Sequence, residues 1–392
     1  MGNFKKYNYV VNCANGHKFE GSDFYIYPVT VNDYADLYRN YSYDKYPVMA
    51  FIYLTNKCAD NCNGCFARSI EDGNAELSLP VIEKLLRDLA VHGTKAIKLA
   101  GREPTSSPYL SRCIELSDEL GMKSIVISSG AGLDKHEKAL SEHCSHLRLS
   151  LNTINQALHE SIHHPTNNAL KFDERIKFAR RIIEKRKERN LVTGATYLVR
   201  SQDDVIGYEY TKMCKNMGFD YVRFTVLDDY KGNWDSKWEE IYLKLLTLED
   251  DGFKVNIHNP IKGEEIEVHD HNVIDPAIVS RVVIHANGKV NCCQEGWRGK
   301  WDEPGIATFG NINDDSFYNI WTGERRKRFL GYIKETHEKG MEQCGVCISG
   351  NQVCANNCKY KSFNILQKWI IKELESDSNS NFKPVLLEAA WN

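Results

Sequence analysis

Short apolar runs alternate with amphipathic stretches from about residue 48, a pattern typical of repeated β-α units around a parallel sheet. Six runs are predicted to be strands, namely VMAFIYLT (48–55), KAIKLA (95–100), KSIVISS (123–129), HLRLSLN (146–152), VTGATYLV (192–199) and YVRFTVL (221–227). Three intervening segments carry apolar residues at three- and four-residue spacing and are predicted to be crossover helices, namely LPVIEKLLRDLAVHG, PYLSRCIELSDELG and FDERIKFARRIIEKRKERN. The pattern predicts an α/β fold built on a partial (β/α)6 barrel, whose chemistry belongs at the C-terminal ends of the strands.

The periodic pattern loosens after about residue 234. A charged, irregular stretch is followed by RVVIHANGKVNCC, which predicts a hairpin with Asn287 and Gly288 in its turn. Since single cores stop growing near roughly 250–300 residues, a chain of 392 residues is expected to contain two domains, one large and one smaller. We predict an N-terminal extension packing on the barrel over 1–47, the barrel over 48–234, and a small cysteine-rich domain with a C-terminal helix over 235–392.

Composition narrows the class of protein. A formal charge of −3 provides no basic field for nucleic acid or for an anionic membrane. No run approaches the roughly 18–20 apolar residues of a membrane span, and the first residues lack the apolar core of a signal peptide, so a cytoplasmic protein is expected. The 13 cysteines are clustered at short spacings, which favours metal ligation over disulfides.

The first cysteine cluster follows the first predicted strand. The segment TNKCADNCNGCFA places Cys58, Cys62 and Cys65 at C-x3-C-x2-C spacing. Three thiolates do not complete a tetrahedral zinc site, but they hold three irons of a 4Fe-4S cubane and leave the fourth iron open for an outside ligand. A zinc site or an incidental group of thiols is the alternative.

This arrangement resembles the radical S-adenosylmethionine (SAM) superfamily, in which a C-x3-C-x2-aromatic-C motif or a close variant follows the first strand of a six-fold partial barrel. The residue before Cys65 is Gly64 instead of the usual aromatic, and Phe66 follows it. The resemblance implies that SAM binds the open iron, that an electron from the cluster breaks a carbon–sulfur bond of SAM, and that the resulting 5′-deoxyadenosyl radical abstracts hydrogen from a substrate.

Further positions resemble the superfamily's SAM-binding residues. The loop AGREPTSSP after the second strand resembles the GGEP motif that contacts the SAM amino group, with Arg102 in place of a glycine. The resemblance implies cofactor-binding roles for seven residues, namely Gly101, Glu103, Pro104, Ser129, Ser150, Asn152 and Arg200. Arg200 would pair with the SAM carboxylate, although a loop arginine is as often simply solvated.

The remaining clustered cysteines lie in the C-terminal region. They are Cys292, Cys293, Cys344, Cys347, Cys354 and Cys358. Their spacing alone leaves zinc and iron–sulfur binding open. The order GKVNCC, FGNI, SFYNIWTGERRKRF and C-x2-C resembles the SPASM/twitch extension of radical SAM enzymes, which binds auxiliary 4Fe-4S clusters. Because six cysteines do not fully ligate two cubanes, we expect one auxiliary cluster, with a second, incompletely ligated cluster as the alternative.

Cysteines outside the clusters are candidates for hydrogen-atom donors, because an S–H bond is weak. We name Cys13 and Cys214 as candidate catalytic donors, although cysteines in helical patterns such as Cys214 usually act as small buried hydrophobes. Three histidines, His159, His163 and His164, are expected to be surface or substrate-contacting residues rather than metal ligands.

These features predict a radical SAM enzyme, an oxidoreductase or isomerase, whose cofactors are SAM, a catalytic 4Fe-4S cluster and at least one auxiliary 4Fe-4S cluster. The leading hypothesis is modification of a ribosomally made peptide by epimerisation, crosslinking or oxidation. A radical dehydrogenase or epimerase of a sugar or aminocyclitol, and a non-catalytic metal-binding or electron-transfer module, are the alternatives. The expected partners are the peptide or small-molecule substrate and a reducing flavodoxin or ferredoxin, with no nucleic acid and no membrane.

Overall fold

The computed structural model describes most of the barrel region and parts of the C-terminal region. The described residues are 11–12, 18–19, 26–30, 45–63, 65, 67, 73–186, 191–199, 206–226, 241, 243–250, 252–258, 281–292, 307–338 and 386–388. The helices in these ranges include none with the length and apolar character of a membrane-spanning segment.

The described secondary structure comprises strands β1 to β14 and helices α1 to α8. The strands are β1 (Val11–Asn12), β2 (Lys18–Phe19), β3 (Ile26–Thr30), β4 (Met49–Ile52), β5 (Ala96–Leu99), β6 (Lys123–Ser128), β7 (His146–Leu149), β8 (Val192–Val199), β9 (Tyr221–Val226), β10 (Lys254–His258), β11 (Arg281–Ile284), β12 (Lys289–Asn291), β13 (Thr308–Asn311) and β14 (Leu386–Glu388). The helices are α1 (Leu79–Val91), α2 (Leu110–Glu119), α3 (Glu137–Glu142), α4 (Gln156–His163), α5 (Phe172–Lys185), α6 (Ile206–Met217), α7 (Phe317–Thr322) and α8 (Glu324–Glu338). Short 3-10 helices occupy Pro104–Ser106 and Leu133–Lys135.

The six predicted strands are confirmed as β4 to β9. They lie side by side in chain order, and every neighbouring pair is parallel. Helices connect them, as parallel pairing requires a crossover. The α/β fold with a partial barrel is therefore confirmed.

The sheet extends beyond the six predicted strands on both sides. Strand β10 adds parallel to β9, and β11 adds parallel to β4. The predicted hairpin forms between β11 and β12, with Gly288 at φ +86° in the turn, and β13 continues it antiparallel. One sheet thus crosses the predicted domain boundary at 234/235, and the boundary itself stays a prediction.

The two faces of the sheet differ in chemistry because side chains alternate along a strand. One face is covered by the helices and is apolar. Helix α1, for example, buries Ile82, Leu85, Leu86 and Leu89 at helical spacing. The other face lines the barrel lumen and carries polar side chains such as Lys98 and Arg223, which are buried.

The region after β11 packs against the start of the barrel. Trp321 on α7 is buried, and its indole Nε1 donates to the Lys45 carbonyl at 2.7 Å. The backbone N–H of Tyr318 donates to the Asp88 carboxylate on α1 at 3.0 Å. These contacts fix β12, β13 and α7 to the first β-α unit.

Candidate iron–sulfur and SAM site

The loop that carries the first cysteine cluster is held by the end of α4. Two of its backbone N–H groups, at Asn61 and Asn63, donate to the C-terminal carbonyls of His163 (2.7 Å) and Ile162 (3.0 Å). These carbonyls have no partner within the helix, so an outside donor satisfies them. Cys58, Cys62 and Cys65 are half-buried and free of disulfides. The end of α4 thus positions the backbone of the loop.

A buried ion pair provides the second anchor of this loop. Asp60, between the first two cysteines, accepts two hydrogen bonds from Arg175 on α5, at 2.6 and 2.8 Å. Neither side chain is exposed to solvent. Arg175 also donates to the Ser129 carbonyl at 2.9 Å and to the Leu170 carbonyl at 2.8 Å. The two members of the pair are 115 residues apart, and no motif in the sequence identified them.

The surroundings of two cysteines of the loop, Cys58 and Cys62, raise the pKa of their thiols. Burial, with the nearby Glu103 carboxylate, raises the pKa of the Cys58 thiol to about 12. Burial, with the Asp60 carboxylate, also raises the pKa of Cys62. Because the thiolate is the metal ligand, loading this site must release protons.

The three cysteine sulfurs are not gathered within the distance of a single metal ion in this structure. Among the described residues, the one set of three His, Cys, Asp or Glu side chains whose ligand atoms all lie within 4.8 Å of one another is Asp60, Cys62 and His163. Three thiolates on one zinc, with Zn–S bonds of about 2.3 Å, would lie within about 4.6 Å of one another, and the three cysteines do not. A cubane binds each sulfur through a different iron and accommodates wider spacing.

His163 contacts the second cysteine of the cluster. Its Nδ1 lies 3.1 Å from Cys62 Sγ, and its Nε2 lies 3.2 Å from the Leu151 carbonyl. The ring of His159, one turn earlier, stacks on it at a centroid distance of 4.6 Å. Both histidines are buried. The prediction that they lie at the surface is therefore wrong, and the alternative that they contact the substrate stays a prediction. Their four-residue spacing was the available signal that they share one helix face. His164 is exposed.

The GREP loop lies at the C-terminal end of β5, as predicted. Gly101 has φ +111°, and an added Cβ would lie 2.9 Å from the ring of Tyr53, so the position requires glycine. Pro104 follows Glu103 and begins the 3-10 helix that Glu103 caps.

The Glu103 carboxylate joins this loop to the next one. It accepts hydrogen bonds from the backbone and hydroxyl of Thr105, from the Ser128 hydroxyl, and from the backbone and hydroxyl of Ser129, all between 2.6 and 3.0 Å. Five donors fill the roughly four lone-pair sites of a carboxylate. In this structure the buried Glu103 carboxylate therefore connects the loops after β5 and β6 through hydrogen bonds. Its contact with the SAM amino group stays a prediction.

The other predicted SAM contacts lie at the same edge of the sheet. Ser150 follows β7, and its N–H donates to the Ser128 carbonyl at 2.8 Å. Asn152 has φ +59°, and its side-chain oxygen accepts from the Leu198 N–H at 3.0 Å. The structure thus brings Gly101, Glu103, Ser129, Ser150 and Asn152 to one end of the barrel.

The remaining predicted residues have different placements. Cys292 is buried at the end of the β11–β12 hairpin. Cys214 is buried on α6, the helix whose Gly207 and Tyr210 pack on the outer face of β8 and β9. This placement is that of a packing residue, on the face opposite the lumen. Seven predicted residues lie outside the described part of the chain, namely Cys13, Arg200, Cys293, Cys344, Cys347, Cys354 and Cys358.

Two family models match this chain. The radical SAM superfamily model matches residues 52–205, and the model of SPASM, an iron–sulfur cluster-binding domain, matches residues 277–348. The first match contains the cysteine loop and the GREP loop. The second contains Cys292, Cys293, Cys344 and Cys347.

The chain is also similar to individual proteins. It is 25% identical over 122 residues to an S-adenosylmethionine-dependent nucleotide dehydratase of Flammeovirga pacifica, a match that covers 30% of this chain and 42% of that protein. The crystal structure of Streptococcus suis SuiB bound to S-adenosylmethionine superposes with a TM-score of 0.55 at 17% identity, covering 74% of this chain and 68% of that one. A structure of anSMEcpe with AdoMet and a peptide gives 0.51 at 15% identity, covering 84% and 99%. The structural likeness shows a shared fold.

Proposed function

We propose that this chain, a radical SAM protein with an SPASM iron–sulfur domain, cleaves SAM reductively and uses the resulting radical to abstract hydrogen from a ribosomally made peptide. The observation that supports reductive cleavage of SAM, the first part of this proposal, is the position of the cysteine loop. Cys58, Cys62 and Cys65 lie at the C-terminal end of the barrel strands, next to the GREP loop.

The chain's own residues would hold the cofactors in defined places. Cys58, Cys62 and Cys65 would bind the catalytic 4Fe-4S cluster, and when bound this cluster supplies the electron that breaks a carbon–sulfur bond of SAM. Asp60 and the carbonyls of α4 fix the loop. Glu103 fixes the neighbouring loop on which Gly101 leaves room for a ligand close to the backbone.

The peptide substrate is proposed by analogy of fold. Crystal structures of SuiB with the precursor peptide SuiA and of anSMEcpe with a peptide have been solved, and both share this chain's architecture. The matching SPASM model also supports an auxiliary cluster, to which Cys292 and the C-terminal cysteines would contribute. A flavodoxin or ferredoxin would supply the electron.

The first test separates the catalytic cluster from the auxiliary one. Anaerobically reconstituted protein should hold about eight irons if two cubanes are present and should release 5′-deoxyadenosine from SAM under reduction. A variant with Cys58, Cys62 and Cys65 all replaced by alanine should keep about four irons and release none. Cys113→Ala, which alters a buried cysteine of α2, is the matched control and should behave as wild type. Zinc in the purified wild type, or intact SAM after reduction, would disprove the enzyme assignment.

The proposal that the substrate is a ribosomally made peptide needs a separate test. Short peptides encoded beside the gene should be incubated with reconstituted enzyme, SAM and reductant, and analysed by mass spectrometry in deuterated and ordinary water. A change of mass or a deuterium label in the peptide supports the proposal. Turnover of a sugar or aminocyclitol, with every such peptide left unchanged, would contradict it.

A further inference from the structure

Arg102 is the residue of the GREP loop that departs from the motif this loop resembles. It stands between Gly101 and Glu103, where that motif has a second glycine. A glycine has no side chain, so whatever the side chain of Arg102 contributes is particular to this chain. Because a guanidinium group is always charged in proteins, the arginine adds a permanent positive charge to the predicted SAM site.

The guanidinium group of Arg102 lies against the returning limb of the cysteine loop. That loop is closed at its base by a hydrogen bond of 2.8 Å from the Asn56 N–H to the Ala75 carbonyl. A Cβ built on Gly73, just before this base, would lie 3.9 Å from Arg102 Nη1. The side chain therefore extends from the end of β5 to the loop that carries the three cysteines.

The charge of Arg102 also acts on the first cysteine of that loop. Burial raises the pKa of the Cys58 thiol to about 12, and the Arg102 guanidinium is among the weaker influences that lower this pKa. Coulomb energies fall with distance, so an effect on this thiol agrees with the position beside Gly73. The guanidinium thus belongs to the surroundings of both the GREP loop and the cysteine loop.

Arg102 has hydrogen-bonding capacity that the chain does not use. Its Nε is buried and has no acceptor. Within the described part of the chain, the guanidinium takes part in no hydrogen bond and no ion pair. A buried donor without a partner is unfavourable by roughly 1–3 kcal/mol, and more if it is charged. The side chain as a whole is only half-buried, so an outside molecule can reach it.

The carboxylates on either side of this guanidinium already have other partners. Glu103 accepts hydrogen bonds from five donors of the chain, and Asp60 is paired with Arg175. Of the two charged side chains in the GREP loop, the anion is therefore bound within the chain and the cation is not. The interaction that this loop still lacks is one with an anion.

SAM would supply an anion at this place. Its methionine end carries a carboxylate and an ammonium group on the same carbon atom, and the resemblance of the GREP loop implies that the ammonium group lies beside it. The carboxylate would then lie beside the same loop. A guanidinium group presents parallel N–H donors that match the two oxygens of a carboxylate.

We infer that Arg102 binds the α-carboxylate of SAM, and that the GREP loop of this chain thereby gains a contact with SAM that glycine at this position does not provide. This inference rests on the proposed function, which places SAM at the catalytic cluster. It gives Arg102 the part that the resemblance implied for Arg200, a residue outside the described part of the chain.

The first experiment measures ligand binding to reconstituted holoenzyme by equilibrium dialysis, without reductant so that SAM stays intact. The probes are SAM and decarboxylated SAM, which lacks only the carboxylate. Arg102→Met should weaken the binding of SAM about ten- to a hundredfold, the loss of a charge-assisted hydrogen bond, and should leave the binding of decarboxylated SAM unchanged. Arg102→Lys, which keeps the charge without the planar fork, should bind SAM with intermediate affinity. Arg87→Met, which removes an exposed arginine of α1, is the matched control and should bind both probes as wild type.

Two results of this experiment would overturn the inference while the wild type still cleaves SAM and the proposed function stands. One is an Arg102→Met protein that binds SAM as tightly as wild type, and a loss of affinity in Arg200→Met would then assign the contact to Arg200. The other is an equal loss of affinity for SAM and for decarboxylated SAM, because that result indicates a displaced loop instead of a lost carboxylate contact.

The second experiment needs no variant, so a folding defect does not obscure it. Anaerobic crystals of wild-type holoenzyme are grown with SAM. A carboxylate oxygen of SAM within hydrogen-bonding distance of the Arg102 guanidinium supports the inference. A SAM carboxylate bound by other residues, with Arg102 paired to an acidic side chain of the chain, would contradict it. A wild type that neither binds nor cleaves SAM would instead count against the proposed function.

Discussion

Replacing Arg175 by methionine should destabilise the protein and loosen the cysteine loop. The guanidinium makes two hydrogen bonds to Asp60, at 2.6 and 2.8 Å, and one each to the carbonyls of Ser129 and Leu170. Methionine keeps much of the volume but donates no hydrogen bond. Arg175→Met therefore leaves the Asp60 carboxylate buried without its counterion.

The expected magnitude follows from the burial of both partners. Removing one member of a buried ion pair costs about 3–5 kcal/mol, because an uncompensated charge remains. The free energy of unfolding of a typical protein is about 5–15 kcal/mol, so the change is large. Replacing Asp60 by asparagine in the same variant removes the orphaned charge. The double variant Asp60→Asn/Arg175→Met should therefore be more stable than Arg175→Met alone.

The cost of Arg175→Met should also depend on pH. Burial opposes ionisation of Asp60, but the hydrogen bonds from Arg175 keep its pKa below the usual value. In the wild type this pair contributes stability above pH of about 3.9, which is lost as pH falls through the lower folded pKa. In the variant, burial without a counterion raises the pKa of Asp60. The difference in stability between the two proteins should therefore shrink as pH falls from 7 toward 4.

Urea unfolding of the reduced apoprotein, followed by tryptophan fluorescence at pH 7 and pH 5, measures these effects. Arg180→Met, which removes an exposed arginine of the same helix, is the control and should stay within about 0.5 kcal/mol of wild type. Equal unfolding midpoints for Arg175→Met and Arg180→Met at pH 7 would refute the reasoning, as would a difference that widens toward pH 5.

Three further changes test the surroundings of the site. Gly101→Ala should lower the free energy of unfolding by about 1–3 kcal/mol more than Gly93→Ala does. Both glycines have positive φ, but a Cβ at position 101 would contact the Tyr53 ring, whereas a Cβ at position 93 would have nothing within 4 Å. Thermal unfolding of the two variants makes the comparison. His163→Phe should shift the midpoint potential of the catalytic cluster to a more negative value at low pH, because only the imidazolium donates both from Nε2 to the Leu151 carbonyl and from Nδ1 to the Cys62 sulfur, and a hydrogen bond to that sulfur favours the reduced cluster. A redox titration followed by electron paramagnetic resonance measures the shift, and a potential unchanged at every pH would count against the contact. Burial, with nearby positive charge, lowers the pKa of His159 to about 3 in the folded protein. The unfolded chain, in which the pKa is about 6.5, therefore takes up the proton first, and the free energy of unfolding falls by about 2 kcal/mol between pH 7 and pH 5. His159→Phe should make the free energy of unfolding less dependent on pH over this range.

The barrel strands were predictable because the local pattern determines them. A strand buried on both faces of a parallel sheet gives a short apolar run, and turn residues separate the runs. The predicted run 192–199 matches β8 residue for residue. The cysteine loop and the GREP loop were predictable for a related reason, since chemistry belongs where strands end. Asn287 and Gly288 identified their hairpin through a turn preference that is equally local.

The pairing of the outer strands with the barrel was not predictable from the same pattern. Strand β10 (Lys254–His258) joins β9, and β11 joins β4 across more than 200 residues of chain. Such pairings depend on the edges that the finished barrel leaves open, and no local period encodes them. The ion pair of Asp60 with Arg175 was missed for the same reason, because a lone aspartate in a loop and an arginine in a helix each look solvated when considered alone.

The site as a whole is held by a continuous series of polar contacts that becomes visible only in three dimensions. Asp60 binds Arg175, Arg175 donates to the Ser129 carbonyl, and the Ser129 N–H donates to Glu103 at 2.7 Å. The cysteine loop after β4 and the loops after β5 and β6 are thereby joined through two buried carboxylates whose partners are donors from other elements. A buried carboxylate is destabilising unless it is fully hydrogen-bonded. A shift of one loop would remove hydrogen bonds from a carboxylate of the neighbouring loop, so such a shift is unfavourable. The predicted cofactor loops are consequently fixed relative to one another by the protein itself, which is the preorganisation that the proposed radical chemistry would require.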